Sequence, residues 1–154
     1  MKIDAKMINP FIKSVLEVMP QLGFSSVERK GIALNNKPLK TSGVVLMLNV
    51  VGDVKGNVVY TINEMGSRKI ASTMMMGMPV ESLDDMAKSA LSELSNMLTA
   101  NGSINFSNDG INIDISVPTM MYGSEIEIMT SSDTMINVEF DIDGIRFDLY
   151  VALD

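Results

Sequence analysis

The sequence predicts an α+β fold, a mostly antiparallel sheet of about six or seven strands with about three helices packed on one face. Three observations carry this. Apolar residues recur at spacings of three and four in three segments, the C-terminal part alternates apolar and polar residues, and turn residues separate the segments at short intervals.

The first helix opens at Asn9-Pro10, an Asn cap followed by Pro at the first helical position. Ile8, Phe11, Ile12, Val15, Leu16, Met19 and Leu22 form its apolar stripe, and Pro20 and Gly23 end it. Residues 25–34 are mixed and moderately strand-like. Residues 44–51 are a continuous β-branched and aliphatic run, as expected of a central strand covered on both faces or paired at an interface. A turn at 52–56 and a returning strand at 57–62 make a hairpin. Its glycines, Gly52 and Gly56, are not followed by Lys-Ser/Thr, so they do not form a phosphate loop.

Asn63 caps a second helix over 64–76, with Met65, Ile70, Ala71, Met74 and Met75 inward. The run Met74-Met75-Met76-Gly77-Met78, in a chain with 15 methionines, reads as gap-filling core rather than a partner surface. Pro79 closes the element. The third helix, 82–98, carries Leu83, Met86, Ala87, Ala90, Leu91, Leu94, Met97 and Leu98 as one stripe. Ser82 is its expected N-cap, and Asp84 and Asp85 suit the positive end of the helix dipole. Asn101-Gly102 predicts a break or bend. Residues 107–110 are a turn that lacks the alternating oxygen ligands and terminal Glu of a calcium loop.

Ile111, Ile113, Ile115 and Val117 alternate with polar residues up to Pro118, and after Gly123 the pattern resumes with Ile126 and Ile128 inward and Glu125 and Glu127 outward. Ile136, Val138, Phe140 and Ile142, a turn at Asp143-Gly144, then Ile145, Phe147, Leu149, Val151 and Leu153 predict a hairpin with one face buried and the other wet. No internal repeat, linker or low-complexity stretch divides the chain, so residues 1–154 read as a single domain.

Composition excludes several functions. With 46% apolar and 20% charged residues the chain is globular rather than disordered. Twelve basic against 19 acidic residues, net −7, with no Lys/Arg cluster, argue against nucleic acid and against an anionic membrane surface. The absence of Cys and His removes disulfides, thiolate zinc sites, Cys nucleophiles and any Ser-His-Asp triad. Asp4, Lys6, Lys13 and Glu17 interrupt any signal-peptide core, and the apolar run 44–48 is too short to span a bilayer, so a cytoplasmic location is expected.

At about 100° per residue, Ser89, Glu93 and Asn96 fall within roughly 60° of one another, beside the stripe of the third helix. A hydroxyl, a carboxylate and an amide therefore point together towards solvent. By pattern alone this is most simply a solvated helix face. A glycosidase pair of Glu93 with Asp114 or Asp141 has no fixed separation and no aromatic sugar platform, and a metal site has no His or Cys to set its spacing.

The spacing Ser89-x3-Glu93-x2-Asn96, followed after 21 residues by Pro118, is similar to the signature of the CheC/CheX/FliY family of chemotaxis phosphatases, with the spacer one residue shorter. The opening Ile8-Asn9-Pro10-Phe11 with Val15 and Met19, the Gly56 hairpin, the Gly77-Met78-Pro79 loop and the alternating terminal strands resemble the CheX branch. A second Glu-x2-Asn helix, which CheC-type members carry, is supplied neither by Glu17-Val18-Met19-Pro20 nor by Glu64-Met65-Gly66-Ser67.

The resemblance implies a CheC-like fold over nearly the whole chain and hydrolysis of the aspartyl phosphate of a CheY-like response regulator. It implies Glu93 docking to a regulator lysine and Asn96 orienting the attacking water, with Ser89 and Pro118 in support. No cofactor is then expected on this chain, magnesium being on the regulator. A homodimer joined through sheet edges is also implied, with 44–51 or a terminal strand as the edge. Two other functions remain on the same fold: a non-catalytic regulator-binding or scaffold module, and a sensor of regulator phosphorylation that removes no phosphate.

Overall fold

The computed structural model describes residues 5–153. Among them, three helices and a seven-stranded antiparallel sheet make the expected α+β architecture. The elements are α1 (Ala5–Gln21), β1 (Val27–Asn36), β2 (Leu39–Gly52), β3 (Gly56–Ile62), α2 (Glu64–Met74), α3 (Asp85–Asn108), β4 (Ile113–Ile115), β5 (Thr119–Ile128), β6 (Thr134–Ile142) and β7 (Ile145–Leu153). Strand order is β1-β6-β7-β3-β2-β4, and β5 pairs with the other part of the same side of β2.

All three helices lie on one sheet face. Phe11, Met19, Ile70, Leu91, Leu94 and Phe106 from the helices share a core with Val44, Leu46 and Leu48 of β2, Tyr60 of β3, Phe140 of β6 and Phe147 of β7. The alternation of β6 and β7 falls on this face as the sequence predicts. The opposite face is not wet, however. Leu39, Val45, Val59, Ile128, Met135, Tyr150 and Ala152 form a second core there.

The cause is curvature. β1 and β2 stand four strand positions apart, which is about 19 Å across a flat sheet. Only Lys37 and Pro38 join them, and so short a link spans about 11 Å at most. The sheet must curl, and the curl brings the β1–β2 link against the β5–β6 loop, where Lys37 N–H donates to the Asp133 carbonyl at 2.8 Å. Polar groups caught on the covered face are paired: Asn57 Nδ2 donates to Asn49 Oδ1 at 2.9 Å, and Asp148 accepts from Arg146 Nε at 2.9 Å and from Asn137 Nδ2 at 3.2 Å.

Helix boundaries shift from the sequence expectations for identifiable reasons. α1 already includes Ala5, so Asn9-Pro10 lies inside it. The proline removes one backbone bond near the helix start, and the burial of Ile8 and Pro10 offsets that loss. α2 is capped by Asn63 as expected, its side chain accepting from Gly66 N–H at 2.6 Å. Met65 nevertheless points outward, 60% exposed. The methionine run is not core throughout: helical geometry stops at Met74, Met76 turns out at φ 60°, and Met76 and Met78 are exposed while Met74 and Met75 are half-buried. Val117 likewise leaves its expected strand, because β4 ends at Ile115, and is 82% exposed.

α3 departs most. Its N-cap is Asp84 rather than Ser82, with Asp84 Oδ1 accepting from Ala87 N–H at 2.9 Å. Met86, one position into the first turn, is exposed. The helix does not break at Asn101-Gly102 but runs on to Asn108, so that it is about 36 Å long. Replacing Asp84 by Ala is expected to lower stability by about 1 kcal/mol, an unfolding midpoint roughly 2–4 °C lower. Ser82→Ala should leave calorimetric unfolding unchanged, and the opposite ranking would return the cap to Ser82.

Candidate active site

α3 is held from behind by hydroxyls and an amide. Ser14 Oγ of α1 donates to the Leu98 carbonyl, and Asn105 Nδ2 donates to the Pro10 carbonyl at 3.0 Å. The Tyr60 hydroxyl of β3 lies 3.1 Å from Thr99 Oγ1, which itself donates to the Ser95 carbonyl at 2.8 Å. Burial raises the Tyr60 phenol well above its ordinary range, so it stays neutral. Leu91, Leu94 and Leu98 fill the remaining contact with no exposed surface. The helix is therefore a rigid platform, fixed along the turns that carry Glu93 and Asn96.

On its outer face Ser89, Glu93 and Asn96 are all exposed, side by side, as the helical spacing predicts. Neither Glu93 nor Asn96 uses its side chain for a hydrogen bond or ion pair among the described residues. Ser92 and Ala100, one turn before and one turn after Asn96, are small, so a partner can approach the helix closely around the amide. Pro118 sits on a different element, half-buried just before β5 and two residues from Met120.

The outer face continues into a groove between α3 and β5. It encloses about 630 Å³ and is lined by Asp85, Lys88, Ser89, Ser92, Met120 and Tyr122. Sequence reasoning missed Lys88, Ser92, Met120 and Tyr122. Ser92 had a signal, its four-residue spacing from Asn96. Met120 and Tyr122 had none, because their place depends on β5 pairing with β2. Among the described residues no group of three or more acidic side chains could hold a metal ion, and no helix is long and apolar enough to cross a membrane.

Three helices on one face of a curled seven-stranded antiparallel sheet place the chain in the class of proteins with the CheC-like fold. A CheC-like protein of Shewanella sp. PV-4 superposes with a TM-score of 0.87 at 24% identity, covering 99% of both chains. CheX of Borrelia burgdorferi, solved with CheY, BeF3 and magnesium, superposes with a TM-score of 0.82 at 22% identity, again over 99% of both chains. The CheY-P phosphatase CheX of Thermotoga maritima is 29% identical over 127 residues, 82% of this chain and 81% of that one. Residues 44–141 match the family model of chemotaxis phosphatase CheX, and the chain belongs to that family.

Proposed function

We propose that this chain hydrolyses the aspartyl phosphate of a CheY-like response regulator docked on the outer face of α3, with Glu93 and Asn96 as its two working groups. The observation that carries this reading is their pairing: a carboxylate and an amide, exposed and without partners inside the chain, on a helix whose back is fixed. A helix needs neither group in that state for its own stability. The Thermotoga relative is named as a CheY-P phosphatase, and the Borrelia CheX was solved in a complex with CheY, BeF3 and magnesium.

The chemistry fits the groups available. Water attacks phosphorus opposite the acyl oxygen, the new oxygen–phosphorus bond forms as the acyl phosphate bond breaks, and inorganic phosphate and a free aspartate result. An amide is no useful base at neutral pH, so Asn96 contributes by holding that water in line through hydrogen bonds. Glu93 pairs with a lysine of the regulator beside the phosphate and fixes the register of the helix. Ser89 and Pro118 support the contact. Magnesium held by the regulator would supply neutralisation of the phosphate charge. The deciding experiment is phosphate release from a phosphorylated CheY-like receiver domain. Acceleration by the wild-type chain supports the reading. Binding without acceleration would instead indicate a sensor or scaffold of the same fold.

A homodimer through sheet edges is proposed as well, with a corrected edge. Residues 44–51 cannot serve, since β2 is flanked on both sides, and of the terminal strands β7 is flanked likewise. β1 is an edge: its outer side is unpaired among the described residues, and it exposes Ile32 and Leu34. Ile32→Lys is expected to halve the mass measured by analytical ultracentrifugation while phosphate release persists. An unchanged mass would exclude β1 as the joint.

A further inference from the structure

Glu93 and Asn96 alone are too little surface to hold a folded partner. A stable protein–protein contact buries about 800 Å² on each side, so a docked receiver domain must cover what adjoins the pair. The groove between α3 and β5 adjoins it directly, since its lining residues Ser89 and Ser92 stand one turn before Glu93 and Asn96. Met120 and Tyr122 give it an apolar wall. Tyr122 is half exposed, and its hydroxyl reaches the Glu64 carboxylate. Partial desolvation first and the Glu64 carboxylate second raise its phenol above the usual value, so it remains a neutral ring with one hydroxyl.

Charge narrows the occupant. Lys88 on the groove makes no ion pair among the described residues, in a chain whose net charge is −7. Asp85, one turn earlier along α3, repels a second negative group. We infer that the groove receives, from the docked receiver domain, an apolar side chain flanked by one carboxylate, and that Lys88, Met120 and Tyr122 thereby set which regulator this phosphatase accepts. The inference rests on the proposed function, because the regulator is the occupant. Tyr is among the residue types that most often anchor an interface, and Lys88 adds charge complementarity to it.

The test is steady-state phosphate release with a phosphorylated CheY-like receiver domain. Tyr122→Ala and Lys88→Glu are each expected to raise KM about tenfold and to leave kcat within about twofold, the effect of losing one interface anchor. Tyr122→Phe, which retains the ring, should restore the wild-type KM. Lys88→Glu is a surface change that leaves the core intact, so its KM remains readable if Tyr122→Ala folds poorly. If the wild-type chain turns over the receiver domain but neither substitution moves KM, the groove is not a docking site and the phosphatase reading stands. If the substitutions instead change the sedimenting mass, a second copy of this chain fills the groove and the inference is wrong. If the wild-type chain gives no acceleration, the phosphatase reading itself fails.

Discussion

Asn96→Ala is expected to reduce phosphate release from a phosphorylated receiver domain by about 10²-fold or more, the range found when one preorganised hydrogen-bonding group is removed from a reacting centre. The unfolding midpoint should not move. Asn96 is exposed and bonds to nothing else among the described residues, so truncating it leaves no cavity and no orphaned partner. Glu93→Ala should act differently, raising KM more than it lowers kcat, because a docking ion pair is made in the ground state and the transition state alike. Glu93→Gln, which keeps the shape and removes the charge, should reproduce most of that rise. Full activity in Asn96→Ala would sink the proposed role of the amide.

Gly102→Ala is expected to lower stability by about 1–3 kcal/mol, roughly 3–10 °C in the unfolding midpoint for a chain of this size. A Cβ at Gly102 would stand 2.8 Å from Phe11 Cδ1 and 2.9 Å from Cε1, closer than real contacts allow. The Phe11 ring cannot easily move away. It is fully buried and meets Phe106 edge-on at 5.3 Å between centroids. The added methyl must therefore push α1 away from α3, which also disturbs the bond from Asn105 to the Pro10 carbonyl. Phe11→Leu combined with Gly102→Ala should be less destabilised than the sum of the two changes, since the smaller side chain leaves room for the methyl. Wild-type stability in Gly102→Ala would show that the helices have slack at this crossing.

These two positions also mark what could be read from the sequence. The trio on α3 was legible as geometry, because helical periodicity alone places Ser89, Glu93 and Asn96 together outside. Its proposed role was not legible in the periodicity, which describes any solvated helix face equally well, and needed the resemblance to a family. Gly102 was misread for a physical reason: a glycine after an asparagine is a common helix stop, and the ring that makes glycine necessary lies on α1, far away in sequence. Ser82 and Asp84 both satisfy the local rules for a cap, and the packing of Leu83 and Ala87 decides between them. The hairpin of β6 and β7 was legible because its pattern is local. The covering of its second face was not, because that follows from the closure of the whole sheet.

The position of β1 has a consequence for the order of assembly. Its ladder is with β6, from Val27 opposite Ile142 to Asn36 opposite Thr134. Between 98 and 115 positions of the 154-residue chain separate these partners, and α1 likewise waits for α3 to receive Phe11. α1 and β1 are therefore made well before α3 and β6, the elements they pack against or pair with, whereas β2 can pair with β3 at once. Such long-range closure is slow compared with hairpin formation, so β6 and β7 are expected to pair before β1 joins them. The apolar face of α1 stays open in the meantime. α1 and β1 are thus open to non-native contacts for longer than β2 and β3, which pair locally.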